Sequence, residues 1–289
     1  MYLDQRTKKI LKVVALVAVV FVLAGCAVNI DENGKLLAER AINESTPWTL
    51  KAGIFDFLLT IPIAKGILWL SNTLGSVAAG VVIMTVLINI LILPVMAKST
   101  IASQKMQMIQ PELDQIQRKY AGRKDQTSQM RMSAEMQALY KKHDISMLSS
   151  LSTFLTLPIM FAMYHAVQRL EVLYTSNMFG LNLGDKPLAE ITSGNFQYIA
   201  IIILVGISQY FAIEITNIMA KRNQRNPNAR MSQTQKQMKQ MNVMMTVMIV
   251  YFALSMPTAM SLYWITTNIV TLARTVLIQF LYMERKTKK

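Results

Sequence analysis

Apolar residues run almost unbroken from Val81 to Ala97, interrupted by Asn89 and Pro94, and the chain then turns polar and basic from Lys98 onward. A run of about 20 apolar residues matches the hydrocarbon thickness of a bilayer. On that measure the sequence predicts spans at 77–97, 148–168, 198–219, 242–256 and 258–282. The fourth is short, and only Met256, Pro257 and Thr258 separate it from the fifth, so the two form a tight hairpin. Residues 48–76 are mixed: Trp48 and Trp69 bracket apolar residues interspersed with Lys51, Asp56 and Lys65. That pattern predicts an amphipathic helix lying in the interface rather than a span. The alternative is a true span over 54–70, which would reverse the side of every later loop. Residues 98–147 read as two helices, 98–119 and 126–142, joined by a turn at Ala121–Asp125. The expected class is an all-α integral membrane protein with five transmembrane helices and a helical hairpin.

Composition agrees with that class. The 289 residues are 53% hydrophobic with mean hydropathy +0.33, outside the ordinary range of soluble domains. A net charge of +14 then needs a location. Residues 98–147 hold nine Lys/Arg against five acids, 220–241 hold six against none, and the tail 283–289 holds four against one. Residues 169–197 hold only Arg169 and Lys186 against three acids. The positive-inside rule puts the three basic segments in the cytoplasm and 169–197 outside. The basic charge never forms one surface, which argues against recognition of a specific nucleic acid sequence; contact with anionic membrane lipid is the expected use.

The N-terminus gives a second, independent indication. Arg6, Lys8, Lys9 and Lys12 precede an apolar run over 13–24 that ends in Leu23-Ala24-Gly25-Cys26. Those are the parts of a secretory signal peptide, residues 1–25. The last four residues resemble the bacterial lipoprotein cleavage box. That resemblance implies a lipoprotein with a diacylglyceryl (palmitate-type) anchor on Cys26 and removal of the leader. The alternative is an uncleaved first helix with a passive Cys26. Residues 26–47 then form a polar tether on the outside of a bacterial plasma membrane, consistent with an N-terminus out and a C-terminus in.

Candidate chemistry lies in the spans. Ionisable residues at membrane depth are costly and point to function; here they are Glu214 and Arg274. At 100° per residue, Tyr263, Thr267, Thr271 and Arg274 share a face of the fifth span. Tyr210, Glu214 and Asn217 share one in the third, Thr85 and Asn89 in the first, and Ser149, Ser152, Thr153 and Thr156 in the second. Two arrangements satisfy four polar stripes: a closed core of interhelical hydrogen bonds, or an open, water-filled groove. In the hairpin, Met106, Met108, Met132 and Met136 offer a pliable surface for varied apolar partners, or else bury against one another. Catalysis is poorly supported. His143 and His165 are the only histidines, and neither HExxH nor GxSxG occurs. Nothing suggests a metal or cofactor. A multi-pass solute transporter or channel would show internal repeats or matched broken helices, and none is evident.

Taken in order, several pieces resemble the YidC/Oxa-type membrane protein insertases. They are Ile92-Leu93-Pro94, Lys98 and Gln110-Pro111-Glu112-Leu113; Pro158-Ile159 and Tyr164; Gln237-Met238-Lys239; and Met256-Pro257, Leu262-Tyr263-Trp264-Ile265 and Asn268. The likeness covers 48–283 and, with the cleavage box, points to the short lipoprotein form of Gram-positive bacteria (the SpoIIIJ-like branch). It implies five spans around a hydrophilic groove, open to cytoplasm and lipid and sealed outside. It also implies insertase and chaperone activity without nucleotide hydrolysis. The partners it implies are nascent membrane proteins, the Sec translocon and the ribosome. One departure stands out. The family usually has arginine where this chain has Asn89, and often glutamine where this chain has Arg274. The groove's positive charge has then moved from the first helix to the fifth, or Arg274 pairs with Glu214, or Arg274 snorkels to the interface.

Overall fold

The structure, a computed structural model, describes residues 36–123, 125–145, 156–222 and 233–280. Cys26 with the residues before it, Ser149, Ser152 and Thr153 of the second span, residues 223–232 of the 220–241 loop and the tail lie outside those residues. The described chain is helical apart from one two-stranded hairpin and its connections.

Helix α1 covers Asp56–Leu74, its first turn wound as a π-helix over Asp56–Thr60. Gly75 ends it in the left-handed conformation (φ +67°), which favours glycine. Ser76 then caps α2 (Val77–Leu91) by accepting from the Ala79 N–H. The two helices pack tightly: a Cβ on Gly80 would fall 2.3 Å from Ser71 Oγ and 2.9 Å from the Ile67 carbonyl oxygen. The expected first span does not run straight to residue 97. It breaks at Ile92, and α3 (Leu93–Met108) leaves at 69°. Pro94 explains the bend, because it lacks an N–H and its ring crowds the carbonyl one turn back. The hairpin's first arm breaks again at Ile109, ahead of Pro111, into α4 (Gln110–Lys119). The second arm is α5 (Gln126–Lys142), reached through a turn in which Gly122 adopts φ +83°.

Helix α6 (Thr156–Arg169) is the described part of the second span. Residues 169–197 are built rather than loose. They include the hairpin β1 (Asn177–Met178) and β2 (Leu181–Asn182), paired antiparallel with Met178 opposite Leu181, and the short helix α7 (Pro187–Thr192). Helix α8 (Gln197–Arg222) contains the expected third span. Helix α9 (Gln233–Ser255) begins nine residues before the expected fourth span, and α10 (Thr258–Ile278) follows the tight turn at Pro257. α10 is the hub, packed against α2, α3, α6, α8 and α9.

Among the described residues two helices are long and apolar enough to cross a membrane by length and composition, Asp56–Leu74 and Gln197–Met219, and the bent pair α2–α3 makes a third if counted as one span. Large apolar side chains face outward on α2 (Leu87, Ile90, Leu91), α8 (Ile203, Leu204, Ile207, Phe211) and α9 (Val243, Met244, Val247, Tyr251). Exposure on that scale is the mark of a lipid-facing surface.

The end of the bundle where 169–197 lies is clamped. Arg169 Nη1 bonds Asp56 Oδ2 at 2.6 Å, and its Nε donates to the Arg40 carbonyl at 2.6 Å. The side chains are only 8% and 15% exposed. One guanidinium thus ties the tether, the start of α1 and the end of α6. Further round, the Thr258 N–H and Oγ1 both donate to the Asp185 carbonyl, and the Ala259 N–H to that of Leu183. The segment after β2 is thereby laid over the start of α10. Removing one partner of a buried pair strands the other charge. Asp56→Ala is expected to lower stability by about 3 kcal/mol. The Asp56→Leu/Arg169→Met double variant should recover most of it. Thermal unfolding of the purified protein in detergent checks this, and an unchanged midpoint in Asp56→Ala would contradict it.

Candidate functional site

The interior faces of α2, α8 and α10 carry the polar residues, while their outer faces carry apolar ones. Thr85 and Asn89 are both buried on α2. Thr85 Oγ1 donates to the Val81 carbonyl at 2.7 Å, and Asn89 Nδ2 to that of Thr85 at 2.9 Å. Asn89 lies in the last turn before the Ile92 break. On α10, Tyr263 is buried and Thr267 half-buried one turn on, then Thr271 and Arg274 follow. Asn268 reaches across to α8, donating to Ser208 Oγ at 3.1 Å. This is the cross-helix bond that membrane interiors favour.

Arg274 is half-buried. Its Nη2 donates to Thr271 Oγ1 at 3.4 Å, and its Nε is buried without a hydrogen-bond partner. Glu214 is half-buried on α8 and accepts from Asn217 Nδ2 at 3.5 Å. Among the described residues no ion pair joins Glu214 to Arg274. The structure therefore brings Thr85, Asn89, Tyr263, Thr267 and Arg274 onto the packed faces of α2 and α10, and leaves the two charges apart. Tyr210 does not join them. It is 54% exposed, with its ring edge-on to Phe211. At 1.5 Å per residue, Asn89, Glu214 and Arg274 lie roughly 18–26 Å along their helices, all in the half toward the basic loops.

Sequence reasoning did not single out two features. Gln104 on α3 is fully buried with neither amide atom partnered, deep between α3 and its neighbours. The Asn268–Ser208 bridge was visible only as a motif residue. The first could have been found from helical spacing, since Gln104 follows Met96 and Thr100 at four-residue steps along one face.

The hairpin methionines divide. Met106 and Met136 pack with Ile109, Leu113, Leu139 and Ile145 in a small core of the hairpin itself. Met108 and Met132 are half-buried outside that core, and Met130 is exposed. The arms are held by Lys119 Nζ on Glu135 Oε1 at 2.5 Å, with the Tyr120 hydroxyl donating to the same oxygen at 2.8 Å. Lys142 and His143 flank Glu112 at 3.4 Å. The hydrogen bonds from Lys119 and Tyr120 hold the Glu135 carboxyl below its ordinary value of 4.5, and the bond to Glu135 raises the Lys119 ammonium above 10.5. A depressed carboxyl contributes stability that is present above 4.5 and lost as pH falls through the lowered value. The tip of the hairpin should thus loosen in acid. Amide exchange over 116–136, corrected for the intrinsic rate, should rise below pH about 4 in the parent and show no such added rise in Glu135→Gln; equal acid lability in both would contradict the assignment.

Comparison with known proteins bears on what this arrangement does. The family described as 60Kd inner membrane protein matches residues 69–286. The chain is 28% identical over 267 residues to "Membrane protein insertase MisCA" of Bacillus subtilis (strain 168), covering 92% of this chain and 89% of that one. It is 28% identical over 285 residues to "Membrane protein insertase YidC" of Alkalihalophilus pseudofirmus, covering 97% and 98%. It is 29% identical over 275 residues to "Membrane protein insertase YidC 2" of Bacillus anthracis, covering 94% of each. The chain belongs to the 60Kd inner membrane protein family, the YidC-type insertases.

Proposed function

We propose that this chain inserts nascent membrane proteins into the plasma membrane, lodging the polar leading part of each in the space between α2, α8 and α10. The observation that carries the reading is Arg274: a cation on an inward helix face, with no acidic partner among the described residues, inside a bundle whose outer faces are apolar. A guanidinium has five donors and is never neutral in proteins. Within hydrocarbon it requires polar company, and here the protein's side chains supply one hydroxyl at 3.4 Å. Water entering from the basic side and the carboxylates of a passing segment are the groups that suit it. Carrying a hydrophilic tail partway across is then far cheaper than through lipid, and the apolar stretch that follows partitions outward past the apolar belts. No nucleotide is needed for such a step. The relatives' names do not support the transporter reading.

The same reading assigns the surroundings. The clamp around Arg169 and the Asp185–Thr258 bonds form the outer seal. Glu44, bonded to Asn72 and, through its carbonyl, to Lys65 Nζ at 3.2 Å, lays a charged tether along α1, which supports an interfacial rather than spanning α1 despite its length. The charge distribution of the loops supports five spans with 98–147, 220–241 and the tail cytoplasmic. The hairpin with Met108, Met130 and Met132 receives the emerging segment, acting as its chaperone. The basic loops supply contacts to the ribosome and to anionic lipid, and the lipid-facing helices to the Sec translocon. Cys26 anchors the tether; the mass of the mature chain, with residues 1–25 lost and acyl chains gained, tests that part.

Arg274→Ala should reduce insertion of a small single-span substrate with an acidic leading tail by at least about tenfold, and Asn89→Arg in that background should restore most of it, since one lost charge contact is worth roughly 1.4 kcal/mol or more. Insertion is read by protection of the tail from external protease in depleted cells. Full insertion by Arg274→Ala would overturn the assignment of Arg274.

A further inference from the structure

The β1–β2 turn carries a conformation that its sequence does not explain. Phe179 sits at φ +51° and Gly180 at φ +82°, the two central positions of a turn that Asn-Gly ordinarily fills. A bulky side chain at positive φ is strained. Phe179 gains nothing from the protein in return, for it is 93% exposed.

Its surroundings say what could reward it. The turn rests beside the start of α8: a Cβ on Gly180 would lie 3.0 Å from Gln197 Oε1. The residue before Gln197 is Phe196, 66% exposed. Phe196, Ile199, Ile203 and Ile207 are spaced at three and four residues, so they form one exposed apolar stripe down α8. That helix is the more apolar of the two described helices that are long enough to cross a membrane. The stripe must face lipid if α8 spans, and its first member stands next to the strained turn.

We propose that Phe179 and Phe196 form an aromatic anchor that embeds in the leaflet on the side of residues 169–197, so that the folded outer segment is seated on lipid. Phe has no polar tip, but apolar Phe side chains on interfacial segments bury into the boundary of headgroup and acyl chain, where span ends lie. Placing Phe179 there rewards the strained turn. It also holds the segment that bonds Thr258 and Ala259 in a fixed position over α10, continuous with the lipid face of α8. This rests on α8 spanning the membrane, and goes beyond the insertase reading, which does not require it.

The test uses the full chain in phospholipid vesicles. Phe179→Trp, Phe196→Trp and, as a reference on the span, Ile203→Trp are compared with the parent to isolate each added indole. The lipids carry bromine on the upper acyl carbons, and acrylamide probes from water. The added indoles at 179 and 196 should be quenched by brominated lipid about twofold or more and respond weakly to acrylamide. Quenching of the indole at 179 by acrylamide and not by lipid, with that at 203 quenched by lipid, would overturn the anchor and leave α8 as a span. Failure of lipid quenching at 203 as well would overturn both. A second readout on the unsubstituted ring guards against the indole creating its own contact: ring-proton cross-relaxation from Phe179 to lipid acyl chains should be seen, and its absence overturns the proposal.

Discussion

A polar surface inside hydrocarbon must be given partners, and this protein is arranged around that constraint. Its hub helix α10 carries Ser261, Thr266, Thr267, Asn268, Thr271, Arg274 and Thr275 in 15 consecutive residues. Some of these groups are satisfied, while Ser261 Oγ and Thr267 Oγ1 are buried without a hydrogen-bond partner. Thr275 donates to the Thr271 carbonyl at 2.8 Å, and Asn268 to Ser208. Packing α10 against α2, α3, α6, α8 and α9 hides the polar helix from lipid on most sides, while the surrounding helices turn their apolar residues outward. Between lipid-exposed helices the hydrophobic effect gives little drive, so close contacts and cross-helix hydrogen bonds hold the bundle. Gly80 against Ile67 and Ser71 is the tightest such contact described.

Two ends of the bundle are treated differently. At the end with 169–197, charges are paired and carbonyls are used: Arg169 with Asp56 and Arg40, Asp185 and Leu183 with the first residues of α10, Tyr198 with Asp185 at 3.0 Å. At the other end α2 breaks at Pro94, α3 swings away by 69°, and polar groups at Gln104 and Arg274 are left short of partners. Thr60 Oγ1 and Ser261 Oγ, one turn in from the clamped end, are buried without partners as well, so the contrast between the ends lies in the cross-segment bonds that close one of them, which is the asymmetry the proposed lodging calls for.

The apolar runs of the sequence carried the all-α membrane class. Span 198–219 falls inside α8, and the turn at 121–125 lies where Gly122 needs positive φ. The 69° break was not read from the sequence although Pro94 was noted, because proline in a membrane helix is often tolerated with a slight kink. The early start of α9 was missed because residues 233–241 are polar; helix continues there on propensity, with no apolar pattern to reveal it. Arg274, Asn89 and Thr85 were legible because polar residues stand out in apolar runs. Tyr210 was misleading, since a tyrosine has both an apolar body and a polar tip and suits a lipid-facing surface equally well. The Arg169–Asp56 pair, 113 residues apart in sequence, was illegible because only the packing of α6 against the start of α1 brings the two charges together.

The central claim is that the space between α2, α8 and α10 is open to water from the side of the basic loops. Single cysteines at Thr85, Asn89 and Thr271, with Cys26 kept and the parent chain as the control, can be challenged with a membrane-impermeant maleimide in inverted and right-side-out vesicles. The account predicts labelling at Asn89 and Thr271 from the cytoplasmic face and none from the outer face. Cysteines that stay unreactive from both faces, in protein that still inserts its substrate, would show a closed polar core and contradict it.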